Sequence, residues 1–298
     1  MVEEHGTRVA AADPLVAGQS WLPEPNGNER LVEAWRSVGL ASVTRNAPDS
    51  LAATWGPLVT HTLRARVCGD DPAGALGALL DRWEETVTER GKDKALSVTW
   101  PSRDTAAVGA LIRHAYTPVV AIAARRAGTP IPPHDPGGCR IRRAKPSDLD
   151  AMNELYQGLI AYDGQFTWLT ARPNTPVRTR EHLAELLGYR DSWCWVAELS
   201  GEVVGILTVE PPAQTRWISP LVNAAPVAYL GVMYADPSIR GRGVGAALAA
   251  TAHKHLDAAG VALTLLHHSI PNPLSSPFWA RQGYRPVYTQ WGRHLAPM

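Results

Sequence analysis

A chain of 298 residues has room for two domains of average size. With 45% hydrophobic residues, 19% charged residues and a net charge of +1, it is an ordinary globular composition. That charge gives no bulk field to draw the chain to nucleic acid or a membrane surface. No apolar run reaches the roughly 18 residues of a membrane span, the acidic start MVEEHG is unlike a signal peptide, and Cys68, Cys139 and Cys194 lack metal-ligand spacing. The reading is a reduced, cytoplasmic protein with no metal.

In chain order, PAGALGALLDRWEETVTERG reads as a helix and ALSVTW as a strand, before a breaker segment at 127–138, AGTPIPPHDPGG. Residues 140–143 read as a short strand, and KPSDLDAMNELYQGLIAY as a helix with an N-terminal proline signal. TREHLAELLGY is a second helix; SWCWVAEL and EVVGILTVE form a hairpin across Ser-Gly; PVAYLGVMYA is a strand. Residues 241–259 read as a helix, VALTLLHH as a strand, LSSPFWARQ as a short helix and YRPVYTQWGR as the last strand.

The two sides of the breaker echo each other. RHAYTPV before it matches RQGYRPV near the C-terminus, pairing Arg113 with Arg281, Tyr116 with Tyr284, Pro118 with Pro286 and Val119 with Val287. Each pair is 168 positions apart (281 less 113). The same offset lays strand on strand and helix on helix, which implies two copies of one α/β unit, 1–126 and 139–298, joined by the linker 127–138.

DPSIRGRGVG, between a strand and a helix, is the chemically loaded segment. A helix start leaves free N–H groups and a positive dipole end, glycines admit an anion closely, and arginines add charge-assisted bonds. Gly241, Gly243 and Ala246 satisfy a dinucleotide pattern, but the next strand ends His267-His268-Ser269 without the acid that ribose recognition needs. Under Arg240–Gly243 the first copy has Pro72, Ala73, Gly74 and Ala75, with neither arginine. Only the second copy is equipped for phosphate.

MYADPSIRGRGVG and NPLSSPFWARQGY together resemble the pyrophosphate loop and the downstream motif of the GNAT superfamily of acetyl-CoA-dependent N-acetyltransferases, and the repeat extends the likeness to the first half as a degenerate copy. The resemblance implies an α/β (α+β) fold of two tandem GNAT-like domains, each a mixed, mostly antiparallel sheet flanked by helices. It implies that the backbone of Met233, Tyr234 and Ala235 pairs with pantetheine and that Asn272 hydrogen-bonds it. The N–H groups of Gly241, Arg242, Gly243, Val244, Gly245 and Ala246 would hold the pyrophosphate, with Arg240 and Arg242 assisting.

Direct transfer to an amine needs a base, an oxyanion donor and an acid for the thiolate. The backbone near Met233 suits the oxyanion. The family's usual acid, a tyrosine, is here Trp279, so Ser275, Ser276 or Tyr284 would have to serve, or none. The usual glutamate is also missing, leaving His267, His268 and Glu210 as candidate bases; the two histidines alternate along a strand, so at most one should face the cleft. Phe166, Trp168 and Arg172, in the loop 161–180, are candidate acceptor contacts; Trp193, Trp195 and Trp217 either line the acceptor pocket or pack the core. The expected function is acetyl transfer from acetyl-CoA to a small-molecule amine. Alternatives are a peptide or protein amine, or a non-catalytic acyl-CoA-binding module. Oligomeric state is left open.

Overall fold

The computed structural model describes residues 1–296. From the first half come α1 (Val2–Ala12), β1 (Glu29–Ala34), β2 (Ser37–Arg45), β3 (Val59–Val67), α2 (Pro72–Glu84), β4 (Lys94–Pro101), α3 (Val108–Arg113) and β5 (Thr117–Arg126). The second half gives β6 (Arg140–Arg143), α4 (Leu149–Asp163), α5 (Thr175–Gly188), β7 (Cys194–Leu199), β8 (Glu202–Glu210), β9 (Val227–Ala235), α6 (Val244–Ala258), β10 (Leu263–Ser269), α7 (Ser275–Arg281) and β11 (Arg285–His294).

These strands do not form two sheets. They make one, in the order β1-β2-β3-β4-β11-β5-β10-β9-β8-β7-β6, parallel only at β3–β4 and β9–β10. Each half passes its last strand to the other: β5 pairs with β10, and β11 pairs with β4. The exchange obeys the sequence offset residue by residue. Leu263 faces Arg126 and Ser269 faces Val120; 168 positions away, Ala95 faces His294 and Pro101 faces Tyr288. At the centre, β5 and β11 pair antiparallel, with Pro286 opposite Ala123 and Pro118 opposite Trp291. The repeat is thus a pseudo-twofold in space, its axis between β5 and β11.

Alternation along the strands explains the layers. Cys194, Val196 and Ile206 face α4 and α5, where they pack with Met152, Tyr156 and Leu183. Their neighbours Trp195, Ala197 and Leu207 face the other way, onto Leu248 and Ala252 of α6. Trp193 and Trp195 belong to this second core, beneath α6. In the first half α2 covers the sheet through Leu76, Leu79, Leu80 and Trp83, and the exchanged strand adds Trp291 to that core. Truncating a fully buried leucine such as Leu79 or Leu248 would cost about 2–5 kcal/mol.

α6 starts three residues later than the apolar pattern predicts, at Val244, because Gly241 and Gly243 hold φ near +80°, outside any helix.

Candidate active site

Two structural features meet at one place. The first is a gap in the sheet. β9 and β10 are hydrogen-bonded only from Val227/Leu263 to Leu230/Leu266; beyond that both strands continue without pairing each other. β9 also carries a bulge: Leu230 faces Val209 and Val232 faces Thr208, leaving Gly231 extra. The Val232 N–H is taken by the Thr208 hydroxyl (3.1 Å), so alternation turns the Met233 N–H toward the gap.

The second is the start of α6. Its N-cap is Gly243, which has no side chain to cap the helix, and the first N–H to find a carbonyl is that of Ala247, on Gly243 (3.0 Å). The N–H groups of Val244, Gly245 and Ala246 are left for a ligand. α2 starts differently. There Asp71 caps the helix, its carboxylate accepting from Gly74 N–H (2.8 Å), with Pro72 in the first turn. A helix start that carries its own carboxylate has no use for a phosphate; one that carries none is an anion site in waiting.

Arg240 and Arg242 flank the open start but lean elsewhere. The Arg240 guanidinium sits 4.5 Å from the centre of the Tyr162 ring and 5.8 Å from that of Tyr234; Arg242 donates to the Gly137 carbonyl (3.0 Å). The linker thus lies against the loop, and a Cβ on Gly243 would sit 2.2 Å from the Asp135 carbonyl oxygen.

Where β9 and β10 part, a cavity of about 510 Å³ opens. Met233, His267, His268, Glu210 and Ser275 line it, as does Trp279. Both histidines reach it, against the alternation argument, because a gap between two strands is open to both faces of each. Ser276 is not on the wall; its hydroxyl turns to the Ile270 carbonyl (3.4 Å). Tyr284 packs in the α6 core and meets His253 (3.1 Å).

His267 Nδ1 bonds the Tyr229 hydroxyl (3.0 Å), and burial, with His268 beside it, brings its pKa down to about 4. Burial also lowers His268, partly offset by the Ser269 carbonyl, which lies 3.3 Å from its Nδ1. Glu210 accepts from the Trp217 indole (3.0 Å) and faces Tyr229 across β8–β9. Trp217 stands edge-on to Tyr229 (4.8 Å) and parallel to His267 (6.1 Å, 10°), and so joins the cavity wall.

Asn272 is buried, and its side chain is already engaged. Its Oδ1 accepts from Leu274 N–H (2.9 Å) and its Nδ2 donates to Asp163 (2.6 Å), leaving one amide hydrogen for a ligand. Burial pushes the Asp163 carboxyl above its ordinary value, with the Asn272 bond opposing. Asp163 lines the cavity from the end of α4 and was not singled out from the sequence, nor were Tyr156 and His182.

Of the three loop candidates none lines this cavity. Phe166 packs edge-on to Tyr162, and Trp168 turns into an adjoining cavity of about 180 Å³ beside His294. Their neighbours Thr167 and Leu169 point inward instead. Arg172 is a latch: it ion-pairs with Asp93 (2.9 Å) and donates to Ala53 O (2.6 Å), fastening the loop 161–180 to the first half. Through that latch Leu51 and Trp55, first-half residues no motif marks, join the wall.

Residues 163–284 match the acetyltransferase (GNAT) family. No curated protein matches the chain. Among solved structures, a GCN5-related N-acetyltransferase from Sphaerobacter thermophilus is 16% identical and superposes with a TM-score of 0.58 over 99% of this chain and 91% of that one. A GCN5-related N-acetyltransferase from Kribbella flavida (17%, TM-score 0.48, 89% and 88% of the chains) and a tandem GNAT protein from the clavulanic acid biosynthesis pathway (13%, 0.46, 94% and 86%) are also similar. Residues 163–284 are a domain of the GNAT acetyltransferase family, set in a chain whose fold is GNAT-like along nearly its whole length.

Proposed function

We propose that the protein transfers acetyl from acetyl-CoA to the amine of a small molecule, with the donor held by the second half and the acceptor beside it in the cavity. The observation that carries this reading is the parting of β9 from β10 after Leu230/Leu266, with an uncapped helix start at one end and the cavity at the other. Acetyl-CoA, when bound, supplies an activated acyl group. Its pyrophosphate suits the free N–H groups of Val244, Gly245 and Ala246 and the open turn at Gly241–Gly243, where Arg240 and Arg242 have only to swing from Tyr162 and Gly137. The unpaired edge of Met233, Tyr234 and Ala235 suits the pantetheine amides, as does the remaining hydrogen of Asn272.

For the acceptor's proton the wall offers Glu210, His267 and His268. His267 stays neutral, and able to accept, throughout the physiological range because burial lowers its pKa. The Met233 N–H is the donor for charge developing on the carbonyl oxygen. Ser275 is the one serine of the pair on the wall, and so the one we assign as acid for the sulfur.

A non-catalytic acyl-CoA-binding module is the second reading, favoured by Trp279: an indole N–H cannot protonate a thiolate, and this ring is packed between Phe278 and Tyr284. Release of free CoA from acetyl-CoA, followed with a panel of amines, decides. Amine-dependent release supports transfer; tight acetyl-CoA binding with no amine raising release supports the module.

A further inference from the structure

The acceptor end of the cavity has its own chemistry. Among the described residues no lysine or arginine lines the cavity; its acidic and imidazole walls are Glu210, Asp163 and histidines, with Asp163 on the Asn272 side. An acceptor bearing carboxylate, phosphate or sulfate would meet carboxylates without a counter-charge, at a cost that excludes it. Four rings, Trp55, Tyr156, Trp217 and Tyr229, line the cavity together with Glu210, which faces Tyr229 and bonds Trp217. Only one Glu210 oxygen is used, by the Trp217 indole; the other has no protein partner among the described residues. Trp217 and Trp55 are 57% and 41% exposed, so large apolar faces are presented to the opening rather than consumed in the core. Burial raises the pKa of both Tyr156 and Tyr229; Glu210 adds to the rise at Tyr229, and at Tyr156 it adds to it after Tyr229. A carboxylate with a free oxygen inside an aromatic wall is a site for one cation joined to a flat apolar body.

We propose that the acceptor is a primary amine carrying a single positive charge on an aromatic, apolar body: its ammonium on Glu210, its ring against Trp217 and Tyr229, with Trp55 of the first half closing over it. The inference rests on the acetyl-transfer reading and narrows it. It also assigns the first half a part in selectivity, since Trp55 is held in place by Arg172 bonding Ala53 and Asp93, by a Thr54–Thr175 hydroxyl pair (2.9 Å), and by Thr170 N–H on the Thr54 carbonyl (3.0 Å).

The test uses the full chain and three measurements: CoA binding, phenethylamine binding in the presence of CoA by calorimetry, and acetyl transfer. Comparison amines are glutamate, glucosamine 6-phosphate and spermidine. Phenethylamine should bind and be acetylated with at least tenfold higher kcat/KM than any of the three. Trp55→Ala and Trp217→Ala should each weaken its binding at least tenfold, and Trp55→Ala should leave CoA affinity unchanged. Trp55→Leu, which keeps apolar bulk without a ring face, should fall between Trp55→Ala and wild type. CoA binding with preference for an anionic amine or for spermidine, or a Trp55→Ala variant that binds phenethylamine as wild type does, overturns this inference and leaves acetyl transfer standing. Absence of CoA binding overturns the transfer reading itself.

Discussion

Asp104 and Asn272 hold the same place in the two halves, 168 positions apart (272 less 104), and each is held by a side chain from a helix: Arg8 of α1 pairs with Asp104 at 3.0 Å, and Asp163 of α4 accepts from Asn272 at 2.6 Å. The helix residue changes from a cation to an acid between the two, and its partner from a carboxylate to an amide. Arg8 also donates to the carbonyl of Val67 (3.0 Å), and His5 lies against Trp100 (5.6 Å) with its Nδ1 3.4 Å from Val67 N–H. These are the end of β3 and the gap between β3 and β4, which part after Leu63/Val98 as β9 and β10 do after Leu230/Leu266. In the first half protein side chains take up the backbone groups that the second half leaves open.

Arg8→Ala should therefore be costly. Asp104 is buried, and losing its partner strands a charge, for about 3 kcal/mol of stability measured by urea unfolding. Adding Asp104→Asn, which copies the second half, should recover part of the loss. No recovery would mean that Arg8 contributes through packing alone.

The glycine loop before α6 gives a paired prediction. Gly243 corresponds to Ala75 of the first half, and replacing it with alanine forces φ +81° on a residue with a Cβ and drives that Cβ against the Asp135 carbonyl. Gly243→Ala should weaken CoA binding at least tenfold and lower stability by about 1–2 kcal/mol. Arg240→Ala should weaken binding with little loss of stability. Ala75→Gly should leave CoA affinity untouched while costing about 1 kcal/mol of helix stability. Titration calorimetry alongside urea melts separates the effects. Equal loss of CoA affinity from the first-half change would refute the division of labour between halves.

Acid should unfold this protein early. His5 and His267 are brought by burial to about 4, and His253 to about 3, against 6.5 in the unfolded chain. Their folded values are depressed, so between pH 6.5 and about 4 the unfolded chain binds more protons, and stability falls as pH falls through that window. At pH 5 each histidine contributes a loss of about 2 kcal/mol relative to pH 7. Urea midpoints at pH 7 and pH 5 check this, and His253→Phe should flatten the dependence. An unchanged midpoint between the two pH values would show that these rings are solvated.

Arg172 is predicted to act on the acceptor without touching it. Arg172→Ala unlatches the loops that carry Trp55 and Leu169, so KM for the acceptor should rise severalfold with CoA affinity kept. Asp93→Ala should do the same, and the double variant should add little, since both remove one contact. Additive effects would place the two residues in separate roles.

Strand and helix order was legible because period-2 and period-3.6 patterns, the Ser200-Gly201 turn and the breaker at 127–138 are local signals. The 168-residue offset was legible too, and it holds to single residues in β5 and β11. The exchange of those strands was not, because nothing in a strand's own residues says which half's edge it will pair with. Within the site, the loop glycines and Met233 could be read from their neighbours. Asp163, Tyr156 and Trp55 could not: the first two share α4 but Trp55 lies in the other half of the sequence, and only the seating of α4 and the Arg172 latch brings them to one cavity. Phe166 and Trp168 lie off the wall of the larger cavity, while their neighbours Thr167 and Leu169 line it.

The crossing of β5 and β11 has a further consequence. Cutting the chain in the linker would not release two proteins. Residues 139–298 alone would hold β11 with neither β4 nor β5 beside it, and would expose the edge of β10 that β5 covers. Each half is a missing piece of the other's interior, so the first half cannot be shed by the half that carries Arg240 and Arg242. The first half is thus built into the second, and it reaches back, through Trp55, into the wall of the cavity.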